Sequence, residues 1–220
     1  MYAFISYSTV DREWSSIVKS ALRVAGFNGF QAHQDLQLSE EWKSAILEEL
    51  KRATIFVAVL SKDFKGSDWC SQEIGFIISR PDVLIIPLSI DGTVPYGFFS
   101  HLQSVRVHDE NEVNQAIQEV LLRKKPRLAI PAWIKRVETA PSYRDAEAIV
   151  RPMVTQFGNF TDEEAIAFAT AALKNGQVWD AARCKSDYLR NFAKRHWKIL
   201  PSVLKKGFIE KVEMTEDELD

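Results

Sequence analysis

Two rhythms of apolar and polar positions alternate through the first half of the chain. Tyr2 to Tyr7 is a short, mostly apolar run that predicts a strand starting almost at the first residue. From Asp11 to Ala25, the residues Trp14, Ile17, Val18, Ala21, Leu22 and Ala25 recur at helical spacing, and Gly26 stops that helix. Asn28-Gly29 reads as a turn and Phe30 to Asp35 as a second strand. Ser39, followed by Glu40 and Glu41, predicts a helix start, with Trp42, Ala45, Ile46, Leu50 and Ala53 on its inner face. Thr54 to Leu60 is almost entirely apolar, as a central parallel strand covered on both faces must be. A short polar loop leads into a helix from Ser67 to about Ser79, ended by Arg80-Pro81. Val83 to Leu88 is another buried strand, Ser104 to Val107 a short last one, and Glu110 to Arg123 a closing helix.

Strands alternating with helices predict an α/β fold: a flavodoxin-like, doubly wound parallel sheet of five strands over residues 1–125. The prolines at 126, 131 and 141 predict a linker over residues 126–141. Beyond it no strand pattern recurs. Ala146, Ile149, Val150, Met153, Val154 and Phe157 form a helical stripe. Thr161-Asp162-Glu163-Glu164 is a capping box opening a helix that Asn175-Gly176 ends. A third helix over Val178 to His196 and a short one after Pro201 complete a small α-helical domain, 142–220, for assembly or sensing. The acidic tail from Glu213 predicts fraying.

Composition narrows the function. With 28 Lys and Arg against 30 Asp and Glu, no net field recruits nucleic acid or an anionic membrane, so neither is expected as a partner. Two distant cysteines, Cys70 and Cys184, predict a reducing, cytoplasmic setting and no metal site. No run reaches membrane-spanning length, and Met1 to Ser6, without a basic region or cleavage site, reads as a strand opening and is not expected to be a signal peptide.

Chemistry concentrates after the third strand. Ligands of an open parallel sheet bind outside the carboxyl ends of the strands, where strand order reverses, here between the first and third strands. Trp69 and Glu73 are four residues apart, so they share a helix face at that crevice. An aromatic plate beside a carboxylate suits a ribose or nucleobase and stabilises positive charge at a sugar carbon. Plainer readings stand beside this one. Glu73 as an exposed helix residue, Trp69 as core, His33 as a structural hydrogen-bonding residue and Asp35 as a loop cap are all ordinary roles. Ser6 and Ser8 suit turn chemistry as well as nucleotide contact. Cys70 reads as a small buried residue, and Trp179, Tyr188, Phe192 and Trp197 as helical-domain core.

Five blocks in order carry a resemblance: Phe4-Ile5-Ser6-Tyr7-Ser8 with Asp11; Phe30 to Asp35; Glu41-Trp42; Val59-Leu60-Ser61; and Ser67 to Gly75. Together they resemble a bacterial-type Toll/interleukin-1 receptor (TIR) domain of the NAD⁺-cleaving branch. The resemblance implies that Glu73 is the essential glutamate for cleaving the nicotinamide–ribose bond and that Trp69 lies against the nucleotide. It also places Ser6, Ser8, His33, Asp35 and Ser67 around the substrate. NAD⁺ would then be a substrate, with no cofactor, and ADP-ribose or a cyclised or conjugated form the product, used in antiphage signalling. TIR–TIR self-association follows from the same resemblance, with the C-terminal helices free for a partner protein. A non-catalytic TIR adaptor is the alternative. A phosphorelay receiver needs an aspartate where Leu60-Ser61 stands, and the five-block pattern argues against a deoxyribosyltransferase-like enzyme.

Overall fold

Strand β3, Ile55–Leu60, is apolar at every position because both of its faces are covered, and all six residues are buried. It pairs in parallel with β1 (Tyr2–Ser6) on one side and β4 (Leu84–Ser89) on the other. Beyond β1 lies β2 (Asn28–Gln31), and beyond β4 lies β5 (Val105–Arg106). The order β2-β1-β3-β4-β5, all parallel, is the doubly wound sheet that the alternation predicts. The computed structural model describes residues 2–31 and 42–215, the Trp42 side chain excepted. His33, Asp35, the expected helix start at Ser39 and the tail from Glu216 lie outside those residues.

The chain divides into two units, residues 1–120 and 121–220. In the first, the helices are α1 (Arg12–Val24), α2 (Trp42–Arg52), α3 (Lys62–Gly66) and α4 (Asp68–Ile78). Helix α5 (Glu110–Lys124) runs across the division. One side of the sheet is filled by aromatic rings, with Phe4 5.7 Å from Phe56 and 5.5 Å from Phe30, all buried. Burying each such ring contributes about 2–3 kcal/mol. Gly26 takes φ 85°, and the chain leaves α1 through Phe27 N–H to Leu22 C=O and Gly26 N–H to Arg23 C=O.

Asn28-Gly29 corrects the turn reading, because both residues belong to β2, paired with Tyr2 and Ala3. Gly29 is there for closeness. A Cβ on it would lie 3.0 Å from Ile5 Cδ1 and 3.3 Å from Lys19 Cγ. The polar stretch expected as a loop after β3 holds α3, whose first turn is fixed by Ser61 Oγ accepting the Phe64 N–H.

In the second unit the linker reading is corrected. Residues 126–138 form helix α6 (Pro126–Glu138), with Pro126 in its first turn, where a missing N–H costs nothing. Ala129, Ile130, Trp133 and Val137 bury one face, which outweighs the interior Pro131. Helices α7 (Tyr143–Met153), α8 (Asp162–Lys174) and the short α9 (Gly176–Trp179) follow. The single helix expected over Val178 to His196 is instead α9, a π turn at Cys184–Tyr188 and α10 (Leu189–His196). Helix α11 (Ser202–Val212) completes the unit. Phe157, Phe168 and Phe192 meet at its centre, the last two 4.6 Å apart, with Tyr188 buried nearby in sequence. Trp179 and Trp197, expected in that core, are half-buried under Lys211 and Lys205. Among the described residues no helix is long and apolar enough to cross a membrane.

The capping box is complete: Thr161 Oγ1 accepts the Glu164 N–H, and the Glu164 carboxylate accepts the Thr161 N–H. Thr161→Ala leaves one of those helix-end donors unpaired and should cost about 1 kcal/mol. A urea titration followed by circular dichroism checks this as a lowered midpoint at unchanged slope.

Candidate active site

The strand order reverses between β1 and β3, and in open parallel sheets ligands bind outside the carboxyl ends of the strands at such a point. Ser61, just past β3, spends its hydroxyl in both directions. It donates to Asp11 Oδ2 at 2.6 Å while capping α3, which ties the loop after β1 to the loop after β3. Burial raises the Asp11 carboxyl, and the Ser61 bond opposes that rise. The chain then breaks at Ser67, whose backbone is extended and whose Oγ accepts the Cys70 N–H at 3.3 Å. That break re-aims the chain into α4.

Helix α4 buries Cys70, Glu73, Ile74 and Ile77. Three- and four-residue spacing explains the company Glu73 keeps, since it stands on the face that Cys70 and Ile77 turn inward. Glu73 is 4% exposed, and its carboxylate takes a hydrogen bond from Ser6 Oγ, the last residue of β1, at 2.5 Å. Burial pushes the Glu73 carboxyl up to about 7, and the Ser6 hydroxyl, which stabilises the ionised form, holds it from rising further. Burial likewise pushes the Cys70 thiol up to about 11, so it stays protonated and is no nucleophile.

Glu73 is buried from bulk water yet lines a cavity of about 230 Å³ between α4 and α2. Trp69, Gln72 and Phe76 line it from α4, and Ile46, Leu47 and Leu50 from α2, with Lys43 as its cation. The volume suits one ring system against apolar walls; a whole drug-sized ligand needs about 300–1,000 Å³. A carboxylate poised near neutrality in such a place is suited to stabilising a cation and binding hydroxyls.

The structure therefore brings Ser6, Trp69 and Glu73 together. Ser8 is buried, and its carbonyl accepts the Asp11 N–H at 2.8 Å. Ser67 serves α4 as its cap and does not line the cavity. Sequence reasoning missed Gln72 and Phe76, although both stand three residues from an expected site residue, the spacing that shares a helix face. It also took Ile46 and Leu50 as core alone; nothing in their apolar pattern marks a cavity wall.

The family model for the TIR domain matches residues 3–122. No curated protein matches the chain. Among solved structures, the TIR domain of the Toll-related receptor TRR-2 from the lower metazoan Hydra magnipapillata is similar at 21% identity and a TM-score of 0.45. That match covers 57% of this chain and 94% of that one. The family match spans more than half of the chain and takes in every element of the sheet, so the chain belongs to the TIR domain family.

Proposed function

We propose that the N-terminal unit cleaves the nicotinamide–ribose bond of NAD⁺, with Glu73 as the catalytic carboxylate. The observation that carries this reading is a buried glutamate held by Ser6 and facing a cavity that Trp69 shares. In NAD⁺ the leaving group is a pyridinium. The C1′–N bond breaks with its electron pair going to that nitrogen, so nicotinamide departs neutral and needs no proton. Ordinary glycoside cleavage requires a second, acidic carboxyl for this purpose; here one carboxylate suffices. Glu73 stabilises the oxocarbenium ion and accepts the ribose hydroxyls. Water then adds to C1′ and releases a proton to give ADP-ribose, or a nucleophile within the bound molecule adds to give a cyclic product. The NAD⁺-cleaving branch of bacterial TIR proteins uses such products in antiphage defence, and we place this chain there.

Incubating the concentrated full chain with NAD⁺ and resolving all products by mass spectrometry tests the reading. Nicotinamide with ADP-ribose or an isomer of cyclic ADP-ribose is the expected result. Intact NAD⁺ with a protein shown to be assembled would overturn it.

Ser6→Ala gives a sharper expectation. The hydroxyl favours the charged form of Glu73, so its loss moves the carboxyl above about 7 and leaves less carboxylate at neutral pH. A hydrogen bond to a charged group is worth about 1.5–3 kcal/mol, so turnover at pH 7 should fall roughly 10- to 100-fold. The deficit should shrink as pH rises and Glu73 ionises. An equal deficit at every pH would assign Ser6 a different role.

A second reading, a non-catalytic adaptor working through TIR–TIR association, has its own observation. Phe98 is 87% exposed beside an apolar hollow of about 180 Å³ lined by Ile74, Ile78 and Tyr96. Such a surface favours association. Product analysis separates the two readings, because an adaptor leaves NAD⁺ intact whatever its assembly.

A further inference from the structure

The net charge of −2 conceals a segregation. Residues 1–120 hold 10 Lys and Arg against 16 Asp and Glu, whereas residues 121–220 hold 18 against 14. Such asymmetry between halves points to a charged partner for one of them. Within the second unit the positive charge is concentrated further. Between Asp187 and Glu210 stand Arg190, Lys194, Arg195, His196, Lys198, Lys205 and Lys206, with no acidic residue among them.

Three of these groups are occupied elsewhere. Arg190 donates to the carbonyls of Lys185, Val212 and Glu213, His196 Nε2 meets the Phe157 carbonyl at 2.9 Å, and Lys206 pairs with Glu210 at 3.6 Å. The rest stand at the end of α10, in the turn after it and at the start of α11. Lys194 and Arg195 are exposed in the last turn of α10, and Lys198 is exposed in the 3-10 turn that follows it. Lys205, from α11, lies over the Trp197 ring at 5.5 Å, which brings the second helix into one patch with that turn. Trp197 is half-buried.

The patch lacks what a membrane surface requires. Apart from Trp197, the exposed positions of α10 and the turn after it are Asn191, Lys194, Arg195 and Lys198, none of them apolar, and the first turn of α11 adds a single exposed valine, Val203, which is not an apolar face. A helix that lies in a bilayer interface carries an apolar face toward the lipid. Cations spaced along a helix end around a half-buried indole are instead the components of a single-strand platform: charges for the phosphates, a ring for a base. We propose that this face of the C-terminal unit binds single-stranded nucleic acid, with Lys194, Arg195, Lys198 and Lys205 on the phosphates and Trp197 against a base. This departs from the expectation, based on net charge alone, that nucleic acid is not a partner. It stands independently of the chemistry at Glu73.

The test is fluorescence anisotropy of the full chain with labelled single-stranded RNA and DNA of about 16 nucleotides, at rising salt. With four phosphates neutralised, affinity should fall about 50-fold between 50 and 200 mM salt. Lys194→Glu/Lys198→Glu should weaken binding by at least about 10-fold. Trp197→Leu should weaken it by a factor that changes little with salt, the mark of stacking. Lys135→Glu/Arg144→Glu, an equal change of net charge on α6 and α7, should leave binding intact. Circular dichroism confirms that each variant is folded. RNA and DNA binding alike supports the proposal, and a preference identifies the natural strand. No binding at the lowest salt, equal loss in both charge variants, or binding only to phosphatidylserine vesicles would overturn it.

Discussion

Glu73→Gln should abolish nicotinamide release from NAD⁺ while leaving the protein folded. The substitution keeps the shape of the side chain and an oxygen that accepts the Ser6 hydroxyl, so the contact across β1 and α4 survives. What disappears is the negative charge. Removing one neutral donor from a preorganised site costs a factor of about 10² to 10³, and a full charge in a water-poor pocket is worth at least that much. The expected loss is therefore roughly 10³-fold in kcat, with KM changed little because the amide still fits the cavity. Single-turnover nicotinamide release, measured on wild type and variant at matched assembly, checks it. A variant within a factor of about three of wild type would remove Glu73 from the mechanism.

The sheet was legible because its pattern has one physical solution. A run such as Ile55–Leu60, apolar at every position and six residues long, needs cover on both faces, and a parallel sheet between helices supplies it. Local signals failed where tertiary pairing overrode them. Asn28-Gly29 is a turn dipeptide by propensity, yet β1 offers it a ladder, and Ile5 with Lys19 and Leu22 of α1 leaves little room for a side chain at Gly29. Pro126 and Pro131 look like linker residues until Ala129, Ile130, Trp133 and Val137 are seen to bury one helical face. The π turn at Cys184–Tyr188 has no sequence signal of its own; the apolar spacing on either side of it continues as if one helix ran through.

The site was legible to a different depth. Spacing placed Trp69 and Glu73 on one face, and that face lines the cavity between α2 and α4, with Ser6 at the end of β1 bonded to Glu73. Spacing did not give the burial of Glu73. A glutamate between Gln72 and Ile74 has no local signal of its own for the interior, and the hydroxyl that partners it there, Ser6, stands 67 positions away in the chain. Ser67 shows the converse. Its place beside the motif suggested substrate contact, whereas its extended backbone and its bond to the Cys70 N–H make it the residue that starts α4 and so aims Glu73.

The burial of Glu73 carries a stability penalty that the same glutamine variant should expose. The carboxyl rises from an ordinary 4.5 to about 7 in the folded chain because burial disfavours its charge. Below pH 4.5 it is protonated in both states and contributes nothing to pH dependence. Between 4.5 and about 7 the unfolded chain ionises first, the folded chain binds more protons, and stability falls as pH rises. Above about 7 both states are ionised and the full penalty is present, about 3 kcal/mol at 1.36 kcal/mol per pH unit. A glutamine amide in its place does not titrate. The stability of Glu73→Gln relative to wild type should therefore be level below pH 4.5, climb between there and about 7, and settle about 3 kcal/mol higher by pH 8. Urea midpoints of both proteins at about pH 4, 6 and 8 measure the difference. A difference independent of pH would mean that Glu73 is as solvated in the folded chain as in the unfolded one, and the pocket would then lack the dryness its chemistry requires. A rising difference together with lost turnover would show one side chain trading stability for catalysis.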